Sequence, residues 1–139
     1  MPLILVLDTQ IWLDWLVFDD PVARGIRVAV ESGRAEVVID AACELELERV
    51  LAYDLGKHSI GAEAQLAALT IARTVALRVT TVVAEKLPQC KDPDDQKFIE
   101  LAFAAKANAL VTKDRELLKM KRRVPFSIAP PAEIRLPAL

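Results

Sequence analysis

The stretch Leu3-Ile4-Leu5-Val6-Leu7-Asp8-Thr9 decides how the rest of the chain is read. Five aliphatic residues in a row, too few for a helix and without polar alternation, describe a strand covered on both faces, as in a parallel sheet. The run ends on a carboxylate. A charged group at the mouth of a buried strand is costly unless something pairs with it. Thr9 suits the N-cap of a following helix over residues 11–18, which leaves Asp8 without a local purpose.

Outward from this strand, helical and strand-like runs alternate. A second helix is expected over residues 22–30, closed by Ser32-Gly33, then a strand over 36–39 and a helix over 41–53. A loop over 56–61 leads into an alanine-rich helix, Ala62–Val75, and the β-branched residues 79–83 read as a strand. A loop over 87–93 precedes a helix over 94–105, a strand Ala109–Val111, a short helix over 115–120 and a last strand over 124–128. Pro130, Pro131 and Pro137 mark a tail from about residue 130 with at most one helical turn. The order β-α-α-β-α-α-β-α-β-α-β predicts a three-layer α/β/α domain around a central, mostly parallel sheet. Residues 1–139 form one domain, with neither internal repeat nor linker. Ligands of such sheets gather beyond the carboxyl ends of the strands, and Asp8 and Asp114 both follow strand ends.

Composition narrows the chemistry. The chain is 53% hydrophobic but only 5% aromatic, so its core is aliphatic, and no apolar stretch is long enough to span a bilayer. No basic region precedes a signal-type segment, and cytoplasmic residence is the expectation. Cys43 and Cys90 do not make a disulfide framework and read as reduced thiols. His58, the only histidine, sits in a polar loop and supports neither a histidine-based zinc site nor a Ser/His/Asp triad. Trp12 and Trp15, three apart on one helix, read as core or dimer interface rather than nucleotide-stacking residues. The net charge of −2 does not advertise a nucleic-acid binder. Lys113, Arg115, Lys119, Lys121, Arg122 and Arg123 nevertheless cluster beside the last acidic position, where they suit either phosphates or a solvated helix end.

The acids carry the functional reading. Carboxylates at strand mouths, with almost no histidine, point to a hard-cation site. Glu44, Glu46 and Glu48 share one helix, with Glu46 nearly opposite the other two, and spacing alone does not choose among them. In Asp92-Pro93-Asp94-Asp95, Asp92 suits an N-cap with proline at N1. Three carboxylates in four residues also repel one another, a repulsion that a divalent cation relieves. Asp114 suits the cap of the next helix, and Thr112 can donate a hydroxyl hydrogen bond to a carboxylate.

As an ordered set, these pieces resemble the PIN-domain nucleases, in particular prokaryotic toxin components of toxin–antitoxin systems related to VapC. The resemblance is carried by Leu5-Val6-Leu7-Asp8-Thr9, by Glu46-Leu47-Glu48-Arg49-Val50-Leu51, by Cys90 to Ala102 around Asp92-Pro93-Asp94-Asp95, and by Ala109-Leu110-Val111-Thr112-Lys113-Asp114. It implies a PIN-like fold and a site of Asp8, Glu46, Asp95 and Asp114, with Asp94 as a neighbouring metal ligand and Thr9, Thr112 and Asp92 in support. It further implies one or two Mg²⁺ or Mn²⁺ ions and hydrolysis of RNA phosphodiester bonds, with Lys113 and Arg115 as candidate phosphate contacts. The toxin of a type II toxin–antitoxin pair, a cognate antitoxin and a homodimer follow from the same resemblance. One residue departs from the pattern: Gln10 stands where such proteins usually carry asparagine or serine. A catalytically weak or inactive PIN-like module that binds RNA or protein is the alternative that Gln10 supports.

Overall fold

The opening aliphatic run forms the middle strand of a five-stranded sheet. A computed structural model describes residues 1–53, 60–83 and 86–138. Its elements are β1 (Leu3–Leu7), α1 (Thr9–Leu16), α2 (Pro21–Glu31), β2 (Ala35–Ile39), α3 (Ala41–Leu51), α4 (Ala62–Val75), β3 (Ala76–Arg78), α5 (Gln96–Ala104), β4 (Ala109–Val111), α6 (Arg115–Leu118) and β5 (Ser127–Ala129). Single 3-10 turns form at Pro93–Asp95 and Pro131–Glu133. The strand order is β3-β2-β1-β4-β5 and every pairing is parallel.

Strand direction explains the layering. From β1 the chain moves outward to β2 and β3, then returns past β1 to β4 and β5. Right-handed crossovers in opposite directions put helices on opposite faces of the sheet, giving the α/β/α arrangement. The order reverses between β1 and β4, and there the carboxyl ends of the two central strands open a crevice. Leu5, Val6, Leu7, Leu110 and Val111 are at most 1% exposed, as the continuous apolar run requires of strands covered on both sides. Asn108 fastens the other end of β1: its Oδ1 accepts from Ile4 N at 2.7 Å and its own N–H donates to Ile4 O at 2.7 Å. Gly33, at φ +78°, supplies the left-handed turn that ends α2 and lets β2 begin two residues later.

Three expected elements shift, each for a physical reason. The third strand is not residues 79–83 but Ala76–Arg78, continuous with α4. Its partner β2 ends at Ile39, which pairs with Arg78, and Val79 N makes the last rung to Ile39 O at 2.9 Å. Val82 and Val83 lie beyond the sheet, 80% and 55% exposed. The last strand is Ser127–Ala129 rather than 124–128, because Pro125 has no N–H for a ladder and β4 offers partners only from Ala109. The N-cap of α1 is Asp8, not Thr9: Asp8 Oδ1 accepts from Ile11 N at 3.0 Å. The loop expected over 56–61, with His58, falls largely outside the described residues.

Trp12 and Trp15 are 2% and 8% exposed and stack with ring centroids 5.5 Å apart, so both belong to the core and neither is available to a nucleotide. No helix among the described residues is long and apolar enough to cross a membrane.

Candidate metal centre

At the crevice between β1 and β4, Asp8, Thr9, Gln10, Glu46, Asp95, Phe98, Lys113 and Asp114 line a cleft of about 300 Å³. Four separate elements deliver the acids. Asp8 leaves the end of β1, Glu46 projects from α3, Asp95 closes the 3-10 turn before α5, and Asp114 follows β4 as the N-cap of α6.

Asp8 is 5% exposed, and both its oxygens are held. Oδ1 caps α1, and Oδ2 accepts a hydrogen bond from the hydroxyl of Thr112, a residue with no exposed surface. The same hydroxyl accepts from Asp114 N at 2.9 Å, and Asp114 Oδ1 in turn accepts from Glu116 N at 2.8 Å. Asp8 N bonds Val111 O at 3.1 Å, which brings the two strand ends into register. Burial pushes the Asp8 carboxyl up to about 6, against the hydrogen bonds from Thr112 and Ile11 and with added repulsion from Asp114 and Asp14.

The three glutamates of α3 separate cleanly. Glu44 pairs with Arg73 at 3.1 Å and Arg78 at 2.8 Å, and Glu48 reaches Arg73 at 3.6 Å. Glu46, on the opposite side of the helix, faces the cleft. Its Oε2 accepts from the Thr9 hydroxyl, and its Oε1 lies 2.7 Å from Lys97 Nζ.

Asp94 and Asp95 separate too. Asp92 Oδ1 accepts from Asp94 N at 2.9 Å, forming the turn, and leaves the Asp94 side chain exposed and outside the cleft lining. Asp95 points inward. Its Oδ2 is buried and, among the described residues, has no hydrogen-bond partner. Burial, followed by repulsion from Asp114, Asp92, Asp8 and Glu46, pushes Asp95 up to about 7.

The basic cluster does not gather at the cleft. Lys113 lines it, but its Nζ lies 2.6 Å from Oδ2 of Asp14, and this bond raises the Lys113 pKa. Gln10 Nε2 donates to Oδ1 of the same Asp14 at 3.0 Å. Arg115 is exposed and outside the lining, and Lys119 pairs with Glu116 at 3.0 Å. Lys121 and Arg122 line a different groove with Leu3 and Asn108, at the opposite ends of the strands. Two residues that bond the cleft lining, Asp14 and Lys97, carry no motif in the sequence. Asp14 lies between Leu13 and Trp15, where a lone charge in an apolar helix is the sequence signal, and the structure buries it to 4% exposure. Lys97 lies two residues after Asp95, next to the strongest acidic motif in the chain.

Both thiols are held in the protonated direction. Cys43 and Cys90 are buried, and burial pushes both upward, so no thiolate is available for Cys–His chemistry.

The profile of the PIN domain matches residues 4–116. The chain belongs to the PIN domain family. PIN domains are generally nucleases, and their nucleases generally use divalent metals. Among solved structures, this PIN domain is similar to VapBC2 from Rickettsia felis bound to a DNA fragment from their promoter, with a TM-score of 0.60 and 14% identity over 91% of this chain and 97% of that one. That likeness is one of fold. No curated protein matches the sequence.

Whether the cleft suits a divalent ion is a question of donors. The side chains facing it offer carboxylate oxygens, burial and then mutual repulsion raise two of them, and one buried oxygen has no partner among the described residues. This is the chemistry of a hard-cation site. The carboxylates line the cleft without converging as a ready-made ligand set among the described residues.

Proposed function

We propose that this PIN domain is a metal-dependent endoribonuclease and the toxin of a type II toxin–antitoxin pair. The observation that carries the metal site is Asp95: a buried carboxylate oxygen with no partner among the described residues, on a group that burial and then its acidic neighbours push up to about 7. Asp8, Glu46, Asp95 and Asp114 are the ligands of one or two Mg²⁺ or Mn²⁺ ions. Bound there, the metal supplies Lewis acidity, making water a better nucleophile and screening the charge of a phosphodiester.

The chain's own residues set the geometry. Thr112 fixes Asp8 Oδ2 and the backbone of Asp114 together, so the acids of β1 and β4 keep one spacing. Thr9 orients Glu46 from the first turn of α1. Lys113, anchored by Asp14 on the cleft wall, keeps ammonium hydrogens for a phosphate oxygen. Asp94 acts through its backbone at the turn. RNA as substrate rests on the resemblance of the sequence blocks to toxin nucleases. A VapB-type antitoxin as partner rests on the fold likeness to the VapBC2 complex. A homodimer and residence in the cytoplasm follow from the same reading.

The deciding experiment incubates the purified chain with labelled RNA and DNA oligonucleotides and Mg²⁺ or Mn²⁺. Cleavage of the RNA is expected, abolished by EDTA and reduced at least a hundredfold in Asp8→Asn. Cleavage that survives either treatment rejects the assigned site. A second reading, a binding module without catalysis, is favoured by Gln10, whose amide is committed to Asp14 rather than to any of the four acids. RNA binding without cleavage at any metal concentration would establish it.

A further inference from the structure

One ammonium beside the cleft, paired with one of its lining acids, is held far more closely than an ordinary surface lysine. Lys97 Nζ lies 2.7 Å from Glu46 Oε1, donates to the carbonyl oxygen of Asp94 and stands 5.4 Å from the ring centroid of Phe98, which itself lines the cleft. A carboxylate, a carbonyl and an aromatic face thus grip one cation. The side chains of Lys97 and Glu46 are 20% and 16% exposed, against 56% and 66% for the surface pair Arg24 and Asp19, so solvent and salt screen the first pair less. With Thr9 on Oε2, both oxygens of Glu46 are satisfied by the chain itself, whereas Asp95 keeps one oxygen with no partner among the described residues.

We propose that Lys97 is the resident counter-cation of the acidic cleft. Its ammonium holds Glu46 in place while the chain is metal-free and competes with a divalent cation for that carboxylate, so the competition sets the metal affinity. This rests on the reading of the four acids as metal ligands. Any cation that takes an oxygen of Glu46 meets a positive charge 2.7 Å from that carboxylate and must displace it or share with it. Lys97 is therefore a positioning residue whose charge opposes metal binding. A purely structural prop has the reverse effect, since its loss frees Glu46 to leave the cleft and weakens binding.

The test is calorimetric titration of the full chain with Mn²⁺ at pH 7.5, alongside melting temperatures in chelator, for wild type, Lys97→Met, Lys97→Gln, Lys97→Arg and Asp8→Asn. Lys97→Met and Lys97→Gln are expected to melt lower without metal yet bind Mn²⁺ at least threefold more tightly, and Lys97→Arg to stay within twofold of wild type. Lys97→Gln keeps donors for the Asp94 carbonyl without the charge, so it decides the matter if Lys97→Met fails to fold. Unchanged or weaker binding in the neutral variants overturns the role of Lys97 and leaves the metal site standing. No Mn²⁺ binding by wild type, or equal binding by Asp8→Asn, overturns both.

Discussion

Thr112 makes one unit of two acids that are 106 positions apart in the chain: its hydroxyl donates to Asp8 and accepts from the backbone of Asp114. Asp8 is buried while Asp114 is exposed, and the burial of Asp8 and Asp95 makes the metal-free fold sensitive to pH in a definite direction. Asp8 and Asp95 titrate near 6 and 7 in the fold against an ordinary value of 3.8. Between about pH 4 and pH 7 the folded chain therefore binds more protons than the unfolded one, and its stability falls as the pH rises through that window. Asp8 accounts for at most about 3 kcal/mol of the fall. Urea unfolding followed by circular dichroism in chelator should give a higher midpoint at pH 5 than at pH 7.5, and Asp95→Asn should flatten the upper part of the slope. A rising or flat profile in wild type contradicts the burial and repulsion assigned to these two carboxyls.

At the scale of the element, α3 shows how one helix serves two purposes. Leu47 has no exposed surface and Leu51 1%, while Leu45 is 62% exposed. Leu47→Ala should cost about 2–5 kcal/mol of stability and Leu45→Ala less than about 0.5, measured by urea denaturation; comparable costs would mean that α3 packs by another face. The polar side of the same helix is divided between the arginines of α4 and β3 and the acidic cleft. Spacing in the sequence placed Glu46 opposite Glu44 and Glu48 but did not say which side faced the sheet ends, since that depends on where Arg73 and Thr9 arrive. β1 and β4 were legible because their runs are short, aliphatic and uninterrupted. β3 was not: the β-branched residues after Arg78 have strand propensity, but β2 has no residues left to pair with them, and register overrides propensity. Asp95 and Asp94 were equally acidic neighbours in the sequence, and only the tight turn capped by Asp92 decides which one faces inward.

For the whole molecule, the crevice sits where strand order reverses, and each acid arrives on a different element. A ligand that joins them therefore ties together parts of the chain that otherwise meet only through the sheet. Mn²⁺ at a hundred times its dissociation constant should stabilise the fold by about 2.7 kcal/mol, on the order of 10 °C in melting temperature. The shift should vanish in Asp8→Asn, and an equal shift in both proteins would remove the metal site from consideration.

The Thr112 hydroxyl, which bonds both Asp8 and Asp114, has a consequence for the timing of synthesis. Asp8 and Glu46 leave the ribosome early, but Asp8 has its hydroxyl partner, and the crevice its second wall, only after β4 has emerged and threaded between β1 and solvent. A chain that stops before residue 95 carries two of the four acids, and one that stops before β4 carries three but lacks the Thr112 hydroxyl and the second wall of the crevice. The crevice is therefore assembled only when the sheet is nearly complete, because its two central walls come from opposite ends of the sequence.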